Sequence, residues 1–255
     1  MKLIIKNDYE AMCQWAAEHI ADAIRGKTGK TDGLTLDQMP GEIAGIQAGG
    51  GASENLPDGY TRLEYIESSG TQWIDTGIKP TVNMEYILDF HAFGQSTAYT
   101  SPFGFRDSAN KSAIGFTCNA YSEKKSLNYY YRFGNSSERQ GTYPHNQRWV
   151  LIMNKGGAPI NHPWPSDAIS VTGTTFEELN IGVHLFGSYA LSSGTMERFI
   201  HMKCYRFTVK ESGEIICDLI PVMRNEDNVL GMYDIVRHVF LTNVGSGVFA
   251  GGEME

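Results

Sequence analysis

"VNMEYILDFHA", residues 82–92, has the hydrophobic period that decides the fold. Val82, Met84, Tyr86, Leu88 and Phe90 fall on one face. Asn83, Glu85, Asp89 and His91 fall on the other, with Ile87 as the exception. Side chains alternate across a strand, so this stretch predicts a half-buried antiparallel strand with one face in a core and one in water. A helical period of 3.6 would scatter the same residues around a cylinder.

The same rhythm extends outward along the chain. "SAIGFTC" (112–118), "LNYYYRF" (127–133), "RWVLIMN" (148–154), "IGVHLFGS" (181–188) and "FIHMKCYRFTV" (199–209) are further strand-like runs. "VKESGEII" (209–216) reads as a hairpin with Gly213 in the left-handed position. "LGMYDIVRHVFLTNVGSGVFAGG" (230–252) reads as a closing meander. Turn residues recur between these runs and no long helical pattern interrupts them, which predicts an all-β sandwich of two antiparallel sheets over residues 57–255. The 28 glycines, 13 tyrosines and 12 phenylalanines fit that class.

Residues 1–46 break the rhythm. Tyr9, Met12, Cys13, Ala16, Ile20 and Ile24 recur at helical spacing, Asn7 and Glu10 form a capping-box pair, and Gly26 and Gly29 end the helix. Leu34, Leu36, Met39, Ile43 and Ile46 suit a second short helix with Pro40 near its start. This small helical unit has too little apolar surface to stand alone and is expected to pack on a partner or on its own copies. "QAGGGASENL" (47–56) is a flexible linker.

Charge and motifs exclude several classes. The net charge of −8, with no Lys/Arg cluster beyond Lys124-Lys125, argues against a nucleic-acid surface. No apolar run nears the ~20 residues that span a bilayer, and the opening "MKLIIKNDYE" turns polar too soon for a signal peptide. Cys13, Cys118, Cys204 and Cys217 lack metal-type spacing; buried free thiols are the favoured reading, with a Cys204–Cys217 disulfide as the alternative. The seven histidines show no HExxH, and no phosphate or dinucleotide loop is present.

Three stretches together resemble a family of bacteriophage and prophage tail proteins that carry a concanavalin A-like (laminin G-like) lectin/glucanase sandwich. They are "LPDGYTRLEYIESSGTQWIDTGIKPT" (56–81), the run from "LNIGVHLFGSYALSSGTMERFIHMKCYRFTV" to "MYDIV" (179–236) and "FLTNVGSGVFAGG" (240–252). "IADAIRGKTGKTDGLTLDQMPGEIAGI" (20–46) is similar to a helical segment near the start of tail-fibre and baseplate-associated proteins. Arg237-His238 departs from the family, which has a small Ser-Gly-like turn there. The resemblance implies a jelly-roll sandwich on a virion tail, assembled in the bacterial host cytoplasm. It also implies attachment to other tail proteins through residues 1–46, a homo-oligomer of trimeric type, and host-surface carbohydrate as the ligand.

Asp75-Thr76-Gly77 matches an aspartic-protease triplet, but the chain has no second triplet and Ile78 stands where that motif has a small residue. Asp75 and Thr76 are therefore expected to cap the end of a strand over 71–78 or to bond a neighbouring loop. A glucanase needs two carboxylates about 5 Å apart; Glu64 and Glu67, read as one strand, point to opposite faces, as do the adjacent Glu177 and Glu178. The expectation is a non-enzyme with no cofactor. "RNEDN" (224–228) gathers oxygen donors that calcium would accept, with a plain polar turn favoured. For glycan binding, Trp164 and His162 on the proline-stiffened "INHPWPSD" loop, with Tyr129 and Tyr131 on one strand face, are the candidate residues. A purely structural virion protein and a glycan hydrolase on the same fold remain as alternatives.

Overall fold

The computed structural model describes residues 56–254, apart from 94–98, 107–112, 121–125, 135, 145–146, 156, 159, 162–168 and 171–175. For 116–120, 126–131, 136–144, 157–158, 160–161 and 169–170 it describes the backbone alone. The helical unit expected over 1–46, and the linker as far as Asn55, lie outside the described residues.

Strands run in order β1 (Tyr60–Arg62), β2 (Ile66–Ser69), β3 (Ile74–Asp75), β4 (Met84–Ala92), β5 (Thr100–Arg106), β6 (Ala113–Ala120) and β7 (Ser126–Gly134). There follow β8 (Ser136–Pro144), β9 (Arg148–Met153), β10 (Gly157–Ala158), β11 (Ile160–Asn161), β12 (Ile169–Ser170), β13 (His184–Leu185) and β14 (Ser188–Ala190). The last are β15 (Thr195–Glu197), β16 (His201–Glu211), β17 (Glu214–Arg224), β18 (Val229–Asp234), β19 (Val239–Thr242) and β20 (Ala250–Gly251). One sheet has the order β11-β9-β4-β16-β17-β18-β19, with β1 on β17 and β2 between β16 and β20. A second has the order β15-β14-β5-β6-β7-β8, with β13 joining β5 to β3. Pairing is antiparallel except between β14 and β5.

The opening stretch behaves as its period predicts. Along β4, burial alternates strictly, with Met84, Tyr86, Leu88, Phe90 and Ala92 inside. These residues share one core cluster with Leu151, Phe207, Val209 and Leu219 of the first sheet and with Ile74, Phe103, Phe105, Ile114, Phe133 and Leu185 of the second. One core drawn from the inner faces of two sheets makes the fold a two-sheet β-sandwich. A second cluster lies on the other face of β17 and β18, where Ile220, Val222 and Tyr233 pack against Leu56, Tyr60 and Phe240.

The β16–β17 hairpin turns through Ser212 (φ 52°) and Gly213 (φ 94°), so Gly213 holds the left-handed position expected of it. Cys204 and Cys217 are free and buried. The register sets Cys217 opposite Val209, five residues along β16 from Cys204, so the hairpin disulfide is not formed. The strand expected over 71–78 is shorter, Ile74–Asp75 alone. Gln72 shortens it from one side, its amide oxygen accepting from Ser68 Oγ (3.0 Å) and Ser69 N (2.9 Å). Gly77, at φ 67°, bends the chain away on the other.

Candidate functional site

The strands that build the core also build a concavity at one end of the first sheet. It is a depression open to solvent, of about 430 Å³, lined by the start of β4, the end of β9 and the β16–β17 turn. Glu85 and Lys210 are cross-strand partners, and their side chains meet at 3.4 Å. Tyr86 pairs with Met153, which brings the next residue, Asn154, beside Glu85; its Nδ2 donates to Glu85 Oε2 at 3.1 Å. Lys155 Nζ donates to Asn83 Oδ1 at 3.3 Å. The Asn83 carbonyl in turn accepts from Ser212 N at 3.2 Å and fixes the hairpin tip over the site. Val82 and Met84 supply apolar wall. Two amides, one carboxylate and two ammonium groups are thus held by one another around a space of ligand size. The groups at its wall are hydrogen-bond donors and acceptors.

The "WIDTGI" segment (73–78) is a turn that ties several parts of the fold. Asp75 Oδ1 accepts from Gly77 N at 2.9 Å. The Thr76 hydroxyl is buried, donates to the Val183 carbonyl at 2.6 Å and accepts from Ile78 N at 3.2 Å. The carbonyl of Thr76 accepts from Arg237 Nη1 at 2.9 Å. Ile74 is in the core and Trp73 is half-buried against it. His184 pairs with Asp75 across β3 and β13, its Nε2 3.9 Å from Asp75 Oδ1. The His184 ring lies 5.3 Å from Trp73 and 5.2 Å from Tyr189. Burial pushes its pKa below the ordinary histidine value, against the pull of Asp75 and the Gly182 carbonyl. A neutral, buried imidazole beside one carboxylate engaged in a turn is not the paired-carboxylate arrangement of an aspartic protease.

The carboxylates singled out by the sequence stand apart from one another. Glu64 precedes β2 rather than sharing a strand with Glu67, which corrects the one-strand reading. Glu67 meets His201 Nε2 at 2.7 Å. Glu177 and Glu178 are exposed outside any strand. In the 224–228 turn, Asp227 takes both Arg224 Nε (3.1 Å) and Nη2 (2.7 Å), while Asn225 Oδ1 accepts from Thr61 Oγ1 (2.7 Å). These oxygens face separate donors rather than one centre. Among the described residues no group of three or more His, Cys, Asp or Glu side chains gathers as a metal site.

Aromatic rings on the outer face of the first sheet carry the protein's own cations. Arg148 lies 3.8 Å from the Tyr205 centroid and Lys203 Nζ 3.9 Å from that of Tyr65. Phe93 sits between His91 (4.6 Å) and His201 (4.3 Å). Of the residues expected to bind glycan, His162 and Trp164 lie outside the described residues. Tyr129 and Tyr131 lie in β7 opposite Cys118 and Phe116, their side chains outside the described set. The residues of the concavity were missed. Alternation along β4 places Asn83 and Glu85 on a solvated face, and the tertiary neighbours that line the concavity with them come from the end of β9 and the β16–β17 turn.

Fold and site together define the class: an all-β, two-sheet sandwich with a polar-walled concavity at one end of a sheet. No family model and no curated protein matches the chain. Among solved structures it is similar to a native heptameric SAP-like pentraxin from Limulus polyphemus, at 10% identity and TM-score 0.46, over 76% of this chain and 94% of that one. It is also similar to scytalido-glutamic peptidase bound to a peptide-based transition-state analog, at 14% identity and TM-score 0.33, over 64% and 92% of the two chains. A third similarity is to SCP-B, a member of the Eqolisin family of peptidases, at 12% identity and TM-score 0.31, over 66% and 91%.

Proposed function

We propose that the chain is a non-enzymatic phage or prophage tail-associated protein whose concanavalin A-like sandwich binds host-surface glycan. The helical unit (1–46) attaches it to other tail proteins or to its own copies, and a trimer is the proposed assembly. The single observation that carries the binding reading is the concavity of about 430 Å³ with Asn83, Glu85, Asn154, Lys155 and Lys210 around it. Neighbouring sugar hydroxyls each donate and accept, and this ring of amide, carboxylate and ammonium groups offers both roles from fixed positions. Repeated copies on a virion raise the avidity of a weak single site. The sequence resemblance over 56–81, 179–236 and 240–252 supports the tail assignment.

A glycan array probed with the full chain tests the reading, with Asn83→Ala and Lys210→Met as controls for the site. Removing one hydrogen bond to a charged or buried group costs about 1.5–3 kcal/mol, so each variant is expected to weaken binding about ten- to hundredfold. No glycan binding at high loading, alongside stable assembly with tail proteins, would leave a purely structural virion role. Reducing-end release from cell-wall or capsule sugars, abolished by one Asp or Glu substitution, would overturn the non-enzyme assignment.

A further inference from the structure

The groups around the concavity satisfy one another unevenly. Both oxygens of Glu85 are engaged, Oε1 by Lys210 Nζ at 3.4 Å and Oε2 by Asn154 Nδ2 at 3.1 Å. Lys155, exposed just past the end of β9, meets a neutral amide instead, Asn83 Oδ1 at 3.3 Å. Among the described residues Lys155 forms no ion pair. An ammonium group donates and cannot accept, so it turns the Asn83 amide oxygen toward itself and leaves Nδ2 as the open end. Ser212 holds left-handed backbone (φ 52°), a position that glycine or asparagine ordinarily takes in a tight hairpin, and it brings a hydroxyl to the wall.

The unspent valences are therefore mostly donors: the remaining protons of Lys155 and Lys210, the Asn83 Nδ2 and the Ser212 hydroxyl. Lys155 and Lys210 face the single carboxylate of Glu85, so the wall carries one positive charge in excess within a chain of net charge −8. Glu211 and Glu214, paired across the hairpin, do not line it, and Glu211 accepts from Thr81 Oγ1 at 2.8 Å.

We infer that the concavity takes an acidic glycan, one whose repeating unit carries a single negative charge on a carboxylate or a phosphodiester, seated on Lys155, Asn83 and Ser212. This choice rests on glycan binding at the concavity, as proposed above, and narrows the ligand. A neutral hydroxyl needs an acceptor for each proton it brings, whereas an anionic oxygen accepts from several donors at once and makes the stronger bonds. Such an oxygen displaces no carboxylate from Lys155, and Lys210 stays fixed by Glu85 beside it. Val82 offers apolar wall to the C–H face of the sugar.

The test is calorimetric titration of the full chain with an oligogalacturonate, the methyl ester of the same oligomer and a glycerol-phosphate oligomer, at low and at high salt. The ester keeps the sugar chain and removes the charge. At least one acid is expected to bind about fivefold or more tighter than the ester at low salt, with the ratio falling as salt rises. The acid that does so identifies the carrier of the charge. Lys155→Gln is expected to bring the acid-to-ester ratio toward one, and Lys155→Arg to keep it. Glu85→Gln removes the one opposing carboxylate and is expected to raise it. Each readout is a ratio, so general damage cancels, and circular dichroism confirms that each variant is folded. Neither acid binding more tightly than the ester, or neutral glycans alone binding, overturns the inference and leaves glycan binding standing. So does an unchanged ratio in Lys155→Gln or a lower one in Glu85→Gln. No binding by any of the three oligomers or on the glycan array removes the glycan reading and the inference with it.

Discussion

The Asp234–Arg237 pair gives the sharpest test of how this fold is held, because it sits where the sequence departs from the family it resembles. Asp234 is completely buried, while the Arg237 side chain is 29% exposed. One oxygen of Asp234 accepts from Val236 N (2.9 Å), Arg237 N (3.0 Å) and Asp218 N (3.3 Å), and the other accepts from Arg237 Nε. Arg237 also reaches Thr76 O at 2.9 Å and Cys217 Sγ at 3.4 Å, so one guanidinium fastens the β18–β19 turn to the "WIDTGI" turn and to β17. Removing one member of a buried pair costs about 3–5 kcal/mol, and the partial exposure of Arg237 places Asp234→Ala near about 3. For a domain of this size that is a fall of about 6–12 °C in Tm. A double-mutant cycle with Arg237→Ala isolates the pair itself, expected at about 1.5–2 kcal/mol.

The pH dependence follows from the same carboxyl. Burial alone would raise the Asp234 pKa, but the Arg237 backbone and side chain, with Cys217 and Val236, outweigh it and hold the carboxyl below the ordinary aspartate range. A group depressed in the folded state contributes stability above its unfolded value of about 3.9 and loses it as pH falls through the folded value. The gap between wild type and Asp234→Asn in urea midpoints should therefore be full at neutral pH and shrink below about pH 4. A coupling energy under about 0.5 kcal/mol, or a gap that stays constant into acid, would refute the reasoning.

Two further outcomes are expected. Gly104 has φ 131°, and a Cβ there would lie 2.0 Å from the Ile114 carbonyl oxygen and 2.8 Å from Gly115 Cα. Gly104→Ala should cost more than about 2 kcal/mol in a thermal melt, and a near-neutral result would show that β5 and β6 can part locally. His91 faces Lys203, His201 and Glu67, and its pKa is pushed down first by burial, then by Lys203 and His201, against Glu67. It thus takes stability from the fold as pH drops below about 6.5, and His91→Gln should flatten the urea-midpoint profile between about pH 5 and 7; an unchanged slope would count against this assignment.

The strand period of β4 was legible in the sequence because burial on one face leaves a period-two record in the residues themselves. Gly213 was legible because a two-residue hairpin demands positive φ. The concavity was not legible, and the reason is physical. Asn83 and Glu85 carry the same polar signal whether they meet water or a wall, and the wall here is made by Asn154 and Lys210, far along the chain. Asp75 shows the converse. Its triplet looks catalytic in isolation, yet Gly77 N at 2.9 Å and the bond from Arg237 to the next carbonyl make it part of a tied turn. Arg237-His238, the departure from the family pattern, is therefore no loosened turn. His238 adopts the left-handed backbone (φ 58°) that a glycine would supply. Arg237 meanwhile adds a cross-link that neither serine nor glycine could make. A sequence motif names the residue types a chemistry needs; whether they perform it depends on which backbone donors reach them first.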